Sequence, residues 1–261
     1  MVLFDVSCFL LVVKIEKLIN RSYSLHRMEL PGIDYACLSR IVTDPLVVER
    51  MVALNGCLTH EAAFGVQYHL VSEEHHVTPI IDGEVESVEL DWEKERPEGW
   101  VSLPLLHYHT HALDTLLMPT GWKGDLAGVH EIRAYDRNEN GIDFRAVHGI
   151  TRYQEPDAPW DILFYQESRS RLLPQTEMKA RTRQLLEESF YVEAEQADVV
   201  NVMRKSKVYH CELLTLHRRE DGSRFFPDEE LEKLRTFAFD VKIINEKRFR
   251  NNYLSRIGKT S

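Results

Sequence analysis

The sequence predicts an α/β protein, with a central mixed sheet flanked by helices and an α+β extension at its C-terminal end. Short apolar segments, either alternating or continuous, predict the strands: Leu58–Val71, Val101–Tyr108 and Ile142–Ile150. Between them lie stretches with apolar residues at helical spacing, each opened or closed by capping residues. With 261 residues, 43% hydrophobic and 28% charged, the chain can bury a sizeable core and is not a disordered polymer.

The clearer pattern begins with Ile33–Val42, a mixed apolar segment. Asp44-Pro45 then predicts a helix start, because Asp caps the free amides and Pro is tolerated at the first helical position. Leu46, Val47, Met51, Val52 and Leu54 continue at helical spacing until Asn55-Gly56. In Leu58–Val71 the residues Phe64, Val66, Tyr68 and Leu70 alternate, as in a strand. Residues 72–100 are polar and acidic, with a turn expected at Asp82-Gly83. Leu126–Tyr135 reads as a helix with Asp125 in its first turn, Asn140-Gly141 as a turn, and Asp161–Tyr165 as a further strand.

Beyond Pro174 the pattern changes. Met178, Leu185, Leu186, Phe190, Ala197, Val200 and Met203 predict one long amphipathic helix or two shorter ones, whose apolar face is expected to dock on the preceding part. Val208–Phe226 reads as a hairpin around Asp221-Gly222, and Pro227-Asp228 opens another helix. Charge divides the chain near the same place. Residues 167–261 carry 19 Lys and Arg against 16 Asp and Glu, whereas residues 1–166 carry 13 against 26. The division predicted is a domain over 30–166 and an extension over 167–261.

The formal net charge of −10 argues against a nucleic-acid binder, which needs a basic face for phosphates. Cys8, Cys37, Cys57 and Cys211 are scattered with no C-x-x-C pair, as expected of a reducing compartment. The apolar opening Val2–Val13 is interrupted by Asp5 and is too short to span a bilayer. A cytoplasmic protein without membrane association is expected, and the sequence sets no oligomeric state.

The informative feature is His107-Tyr-His109-Thr-His111. On a strand, residues two apart project to one face, so imidazoles of this run can converge on a divalent metal. Asp125, at a helix start, is a candidate third ligand; its alternative role is an ordinary N-cap. Glu61 stands before Ala62-Ala63-Phe64, where a carboxylate has no packing reason to be. It is a candidate general base, or a charge at the strand's edge in water.

In order, these residues resemble the JAMM (MPN-plus) zinc metallo-isopeptidases. Glu61-Ala-Ala-Phe-Gly65 is similar to that family's Glu-x-x-Gly strand start. Tyr108-His109-Thr110-His111 is similar to its aromatic-His-Ser/Thr-His strand end, and Pro119-Thr120-Gly-Trp-Lys-Gly-Asp125-Leu126 to its Ser-x-x-Asp-Leu helix entry. The resemblance spans about residues 33–166 and implies a JAMM-like central sheet. It implies Zn2+ held by His109, His111 and Asp125, with a water in the fourth position. Glu61 would be the general base and Thr120 the nearest hydroxyl able to stabilise the oxyanion. The implied partner is a protein or peptide substrate, a ubiquitin-like tail among the candidates, bound as an added strand at a sheet edge. Two departures stand out: the interval from His111 to Asp125 is three residues longer than is usual in the family, and Trp122 occupies the strict register of its serine. Two other readings compete: a cupin-like metal enzyme using His107 and His109 with Asp114 and Gly121, and a JAMM-like scaffold without catalysis.

Overall fold

A computed structural model of the chain describes residues 33–57, 59–70, 72–84, 88–111, 125–168, 173–174, 176–177, 180–181, 183–184, 200–201, 203–205 and 207–257. Ile33–Val42, a mixed apolar segment in sequence, forms helix α1 (Tyr35–Val42). The Asp34 carboxylate accepts from the Cys37 N–H at 2.9 Å and fixes its start. Cys37, Leu38, Ile41 and Val42 are buried, one stripe of a helix. Helix α2 (Pro45–Leu54) starts as Asp44-Pro45 predicts, with Asp44 accepting from the Leu46 N–H at 2.8 Å. Its far end is fixed by Asn55, whose amide donates to the Gln154 carbonyl and accepts from the Gln154 N–H.

The eight-stranded sheet comprises β1 (Ala62–His69), β2 (His75–Val77), β3 (Ile81–Asp82), β4 (Ser102–His111), β6 (Val147–Arg152), β7 (Trp160–Glu167), β8 (Tyr209–Arg218) and β9 (Arg224–Phe225). Their order is β2-β1-β4-β6-β7-β8-β9, with β3 also paired to β1. All neighbours are antiparallel except β4 and β6, which run parallel. A parallel pair cannot be joined by a hairpin, so the chain must cross from the end of β4 to the start of β6. Helix α3 (Asp125–Tyr135) lies on that crossover. The sheet runs through β7 into β8, so strands on both sides of residue 167 hydrogen-bond directly.

The strand expected over Ile142–Ile150 is divided. Ile142–Asp143 is β5, which pairs with β10 (Lys242–Ile243) in a separate ribbon, and only from Val147 does the chain join the main sheet. A π-helical turn (Asp136–Asn140) precedes β5 and ends at Gly141, φ +71°. A Cβ at Gly141 would sit 2.5 Å from the Asn245 carbonyl, so both conformation and space require glycine. Helix α4 (Asp228–Glu232) runs into a 3-10 turn, and α5 (Glu246–Ile257) closes the described chain.

On one face of the sheet, Ile150, Leu163, Tyr165, Tyr209 and Cys211 pack with Leu126 and Val129 of α3 and with Val200 and Met203. Val200 and Met203 thus place one end of the expected apolar stripe in the core; Met178 and residues 185–199 lie outside the described residues. On the other face Phe64 stacks on Tyr108, and Gly149 leaves room for that ring. His69 is buried: it stacks on Trp100 and its Nδ1 lies 2.7 Å from Ser72 Oγ. Among the described residues no helix is long and apolar enough to cross a membrane.

Candidate metal centre

Strand β4 ends in the three histidines. His109 and His111 are each 1% exposed, and strand alternation sends their rings to the face covered by α3. Asp125 opens α3, and its carboxylate spans both rings. Oδ1 lies 2.9 Å from His109 Nε2, Oδ2 lies 3.1 Å from His111 Nε2, and the two nitrogens are 3.2 Å apart. A tetrahedral zinc with bonds of about 2.0–2.1 Å holds its ligand atoms about 3.3–3.4 Å from one another. Each of these three separations is thus within a few tenths of an ångström of the spacing between two ligands of one zinc, with a different carboxylate oxygen facing each ring. The donor set fits zinc.

Antiparallel pairing sets Ala63 opposite His109 and Ala62 opposite Thr110. Glu61, two residues before Ala63, therefore projects to the same face as the two histidines. It is 7% exposed. Its backbone is held on both sides, the N–H donating to the Glu84 carbonyl at 2.9 Å and the carbonyl accepting from the Gly83 N–H at 2.8 Å.

Burial pushes the Asp125 carboxyl up, but the positive side of His109 and hydrogen bonds from both rings overcome it and hold the group well below the usual range. One row below the ligands, His107, His148 and Tyr165 are registered side by side on β4, β6 and β7. Burial, aided by His109, pushes His107 down to about 3. Burial, His107 and His109 push His148 well below its ordinary value. The Tyr165 hydroxyl is pushed well above its ordinary value by burial first and then by the charges of Asp125, Tyr209 and Glu61. Tyr165 OH and His148 Nε2 have no hydrogen-bond partner among the described residues.

Of the residues singled out in the sequence, the structure brings His109, His111 and Asp125 into one cluster. His107 is not part of it; its ring stacks on that of His109 at 5.3 Å and 30°. Thr120 and Trp122 lie outside the described residues, as do Asp114 and Gly121. Sequence reasoning passed over Tyr165 and the cover of the lower row. Trp92 meets the edge of His107, and Leu90 and Trp92 lie where a Cβ on Gly65 would be. Only Gly65, in a strand where Gly is otherwise costly, hinted at that close approach. Comparison of the chain with family models, curated proteins and solved structures finds no match.

Proposed function

We propose that the chain is a zinc-dependent peptidase or isopeptidase working by the JAMM mechanism. The observation that carries this reading is the cluster of His109, His111 and Asp125, with buried Glu61 projecting to the same face. Zinc held there supplies a Lewis acid and makes water more acidic. His109 and His111 bind through Nε2, and the ionised Asp125 supplies the negative charge that retains a divalent cation. Glu61 takes the proton of the attacking water and passes it to the leaving amine. Its fixed backbone and low exposure suit a base that must hold one position through both transfers. A peptide or isopeptide bond is the proposed substrate, with the extended tail of a ubiquitin-like protein as the first candidate.

The test combines metal content with turnover on a panel of ubiquitin-like fusions and short peptides. Wild-type protein should hold zinc at this site, and His111→Ala should lose it, because two remaining ligands hold zinc poorly against water. Glu61→Gln should keep the zinc and lose ~10²–10⁴ in rate, since an amide cannot take the proton. Wild-type turnover in Glu61→Gln overturns the mechanism. Zinc without cleavage of any panel member favours a non-catalytic scaffold.

A further inference from the structure

A second group of metal-type donors lies at the start of β1. Cys57 follows the end of α2, with its N–H donating to the Leu54 carbonyl at 3.0 Å. His60 precedes Glu61, and Asp82 is brought alongside by β3, where it pairs with Ala62. The thiol, an imidazole nitrogen and a carboxylate oxygen all lie within 4.8 Å of one another. His60 Nε2 is 3.4 Å from Asp82 Oδ1, the separation of two ligands on a tetrahedral zinc, about 3.3–3.4 Å. On its other side, Thr59 Oγ1 lies 3.2 Å from His60 Nδ1. A hydroxyl accepting the Nδ1 proton leaves the Nε2 lone pair to bind, the second-sphere arrangement usual for a ligating histidine.

We propose that Cys57, His60 and Asp82 form a second metal site, selective for zinc-like cations, that fixes the strand start carrying Glu61. The three donors come from three different elements: the end of α2, the entry to β1, and β3. A cation there ties these together directly behind Glu61, whose backbone is already bridged to Gly83 and Glu84. Thiolate and imidazole select zinc-like ions over magnesium or calcium, which take oxygen ligands. Two plainer roles explain less. A His60–Asp82 ion pair with Asp82 76% exposed contributes at most about 1 kcal/mol and gives Cys57 no part. A lone cysteine acting as a nucleophile leaves Asp82, brought alongside by β3, without a part.

The site rests on its own residues and is separable from the zinc of the proposed peptidase. The full chain, stripped with chelator, is titrated with cobalt(II) and read by bound equivalents and by near-ultraviolet thiolate-to-cobalt absorption. Two equivalents are expected, one of them giving that absorption. Cys57→Ser should bind one equivalent and lose the absorption, while His111→Ala should bind one and keep it. Asp82→Asn, at an exposed position where folding is not at stake, should also drop to one equivalent. If wild-type protein saturates without thiolate absorption, or if the absorption survives in Cys57→Ser, the site does not exist. One equivalent with absorption, unchanged by His111→Ala, supports this site and rejects the other.

Discussion

Replacing Arg133 by Met tests how α3 is held in place. The guanidinium is 2% exposed and lies between two buried carboxylates. Its Nε and Nη2 donate to the two oxygens of Asp143 at 2.7 and 3.1 Å, and Nη1 lies 3.2 Å from Glu167 Oε1. Methionine fills much of the same space but leaves both acids without that charge. Arg137 still holds Asp143 at 2.6 Å, so the loss falls mainly on Glu167. Removing one partner of a buried network costs about 3–5 kcal/mol, and about 3 kcal/mol is expected here. For a chain of this size that lowers Tm by roughly 6–12 °C. The cost must depend on pH. Asp143 is held below its ordinary value of 3.8: burial raises it, but the hydrogen bond and charge of Arg133 outweigh burial. Its stabilisation is present above pH 3.8 and lost as pH falls through the depressed folded value. Glu167 is already raised from 4.5 by burial despite Arg133, and without that cation it rises further. A raised carboxyl loses stability as pH climbs from 4.5 through its folded value, so the variant suffers most near neutrality. Urea unfolding at pH 7 and in steps down to pH 4 should show a gap that narrows with acid. A gap under about 1 kcal/mol at pH 7, or one constant across the range, refutes the assignment of Arg133 as the anchor. Because α3 begins with Asp125, the zinc affinity proposed for the cluster should weaken in the same variant.

Tyr165→Phe removes a buried hydroxyl with no partner among the described residues, so thermal unfolding of the metal-free protein should show no loss of stability and up to about 1 kcal/mol of gain; a loss above about 2 kcal/mol would reveal a hydrogen bond to the rest of the chain. Gly65→Ala places a methyl 2.5 Å from Leu90 Cδ2 and Trp92 Cη2; about 1–3 kcal/mol of destabilisation and a shift in tryptophan emission are expected, and an unchanged spectrum with unchanged Tm would mean that the cover over His107 moves freely.

Local signals carried the parts of the fold that depend on near neighbours. Asp44-Pro45 fixes the start of α2 through a contact two residues long, and the alternation His107-x-His109-x-His111 is itself strand geometry. Helix α1 left a fainter mark, Asp34 three residues before Cys37 and apolar pairs at 37–38 and 41–42, within a segment too short to display its period. The division of β5 from β6 could not be read from Ile142–Ile150, because β5 takes its partner from β10, a hundred residues on. The same limit applies to the ion network: Arg133 sits on a helix whose charges look solvated until Asp143 and Glu167 converge on it. The candidate centre was more legible than the fold around it, since two of its three metal donors share one strand. Cys57 and Asp82 read in sequence only as a scattered thiol and a turn residue, because it is the pairing of β3 with β1 that brings Asp82 to Cys57 and His60.

The parallel register of β4 and β6 has an evolutionary side. The chain must leave the sheet at His111 and re-enter at Val147, and within that detour both ends of the 112–124 link are anchored, one by strand pairing and the other by α3. Lengthening such a link from ten to thirteen residues costs roughly 0.2 kcal/mol of closure entropy. Insertions there are close to neutral for stability, because strand pairing and α3 hold the two anchors in place. A lineage can therefore lengthen or shorten the link repeatedly while His109, His111 and Asp125 keep their places, so that change in the link is almost independent of selection on folding.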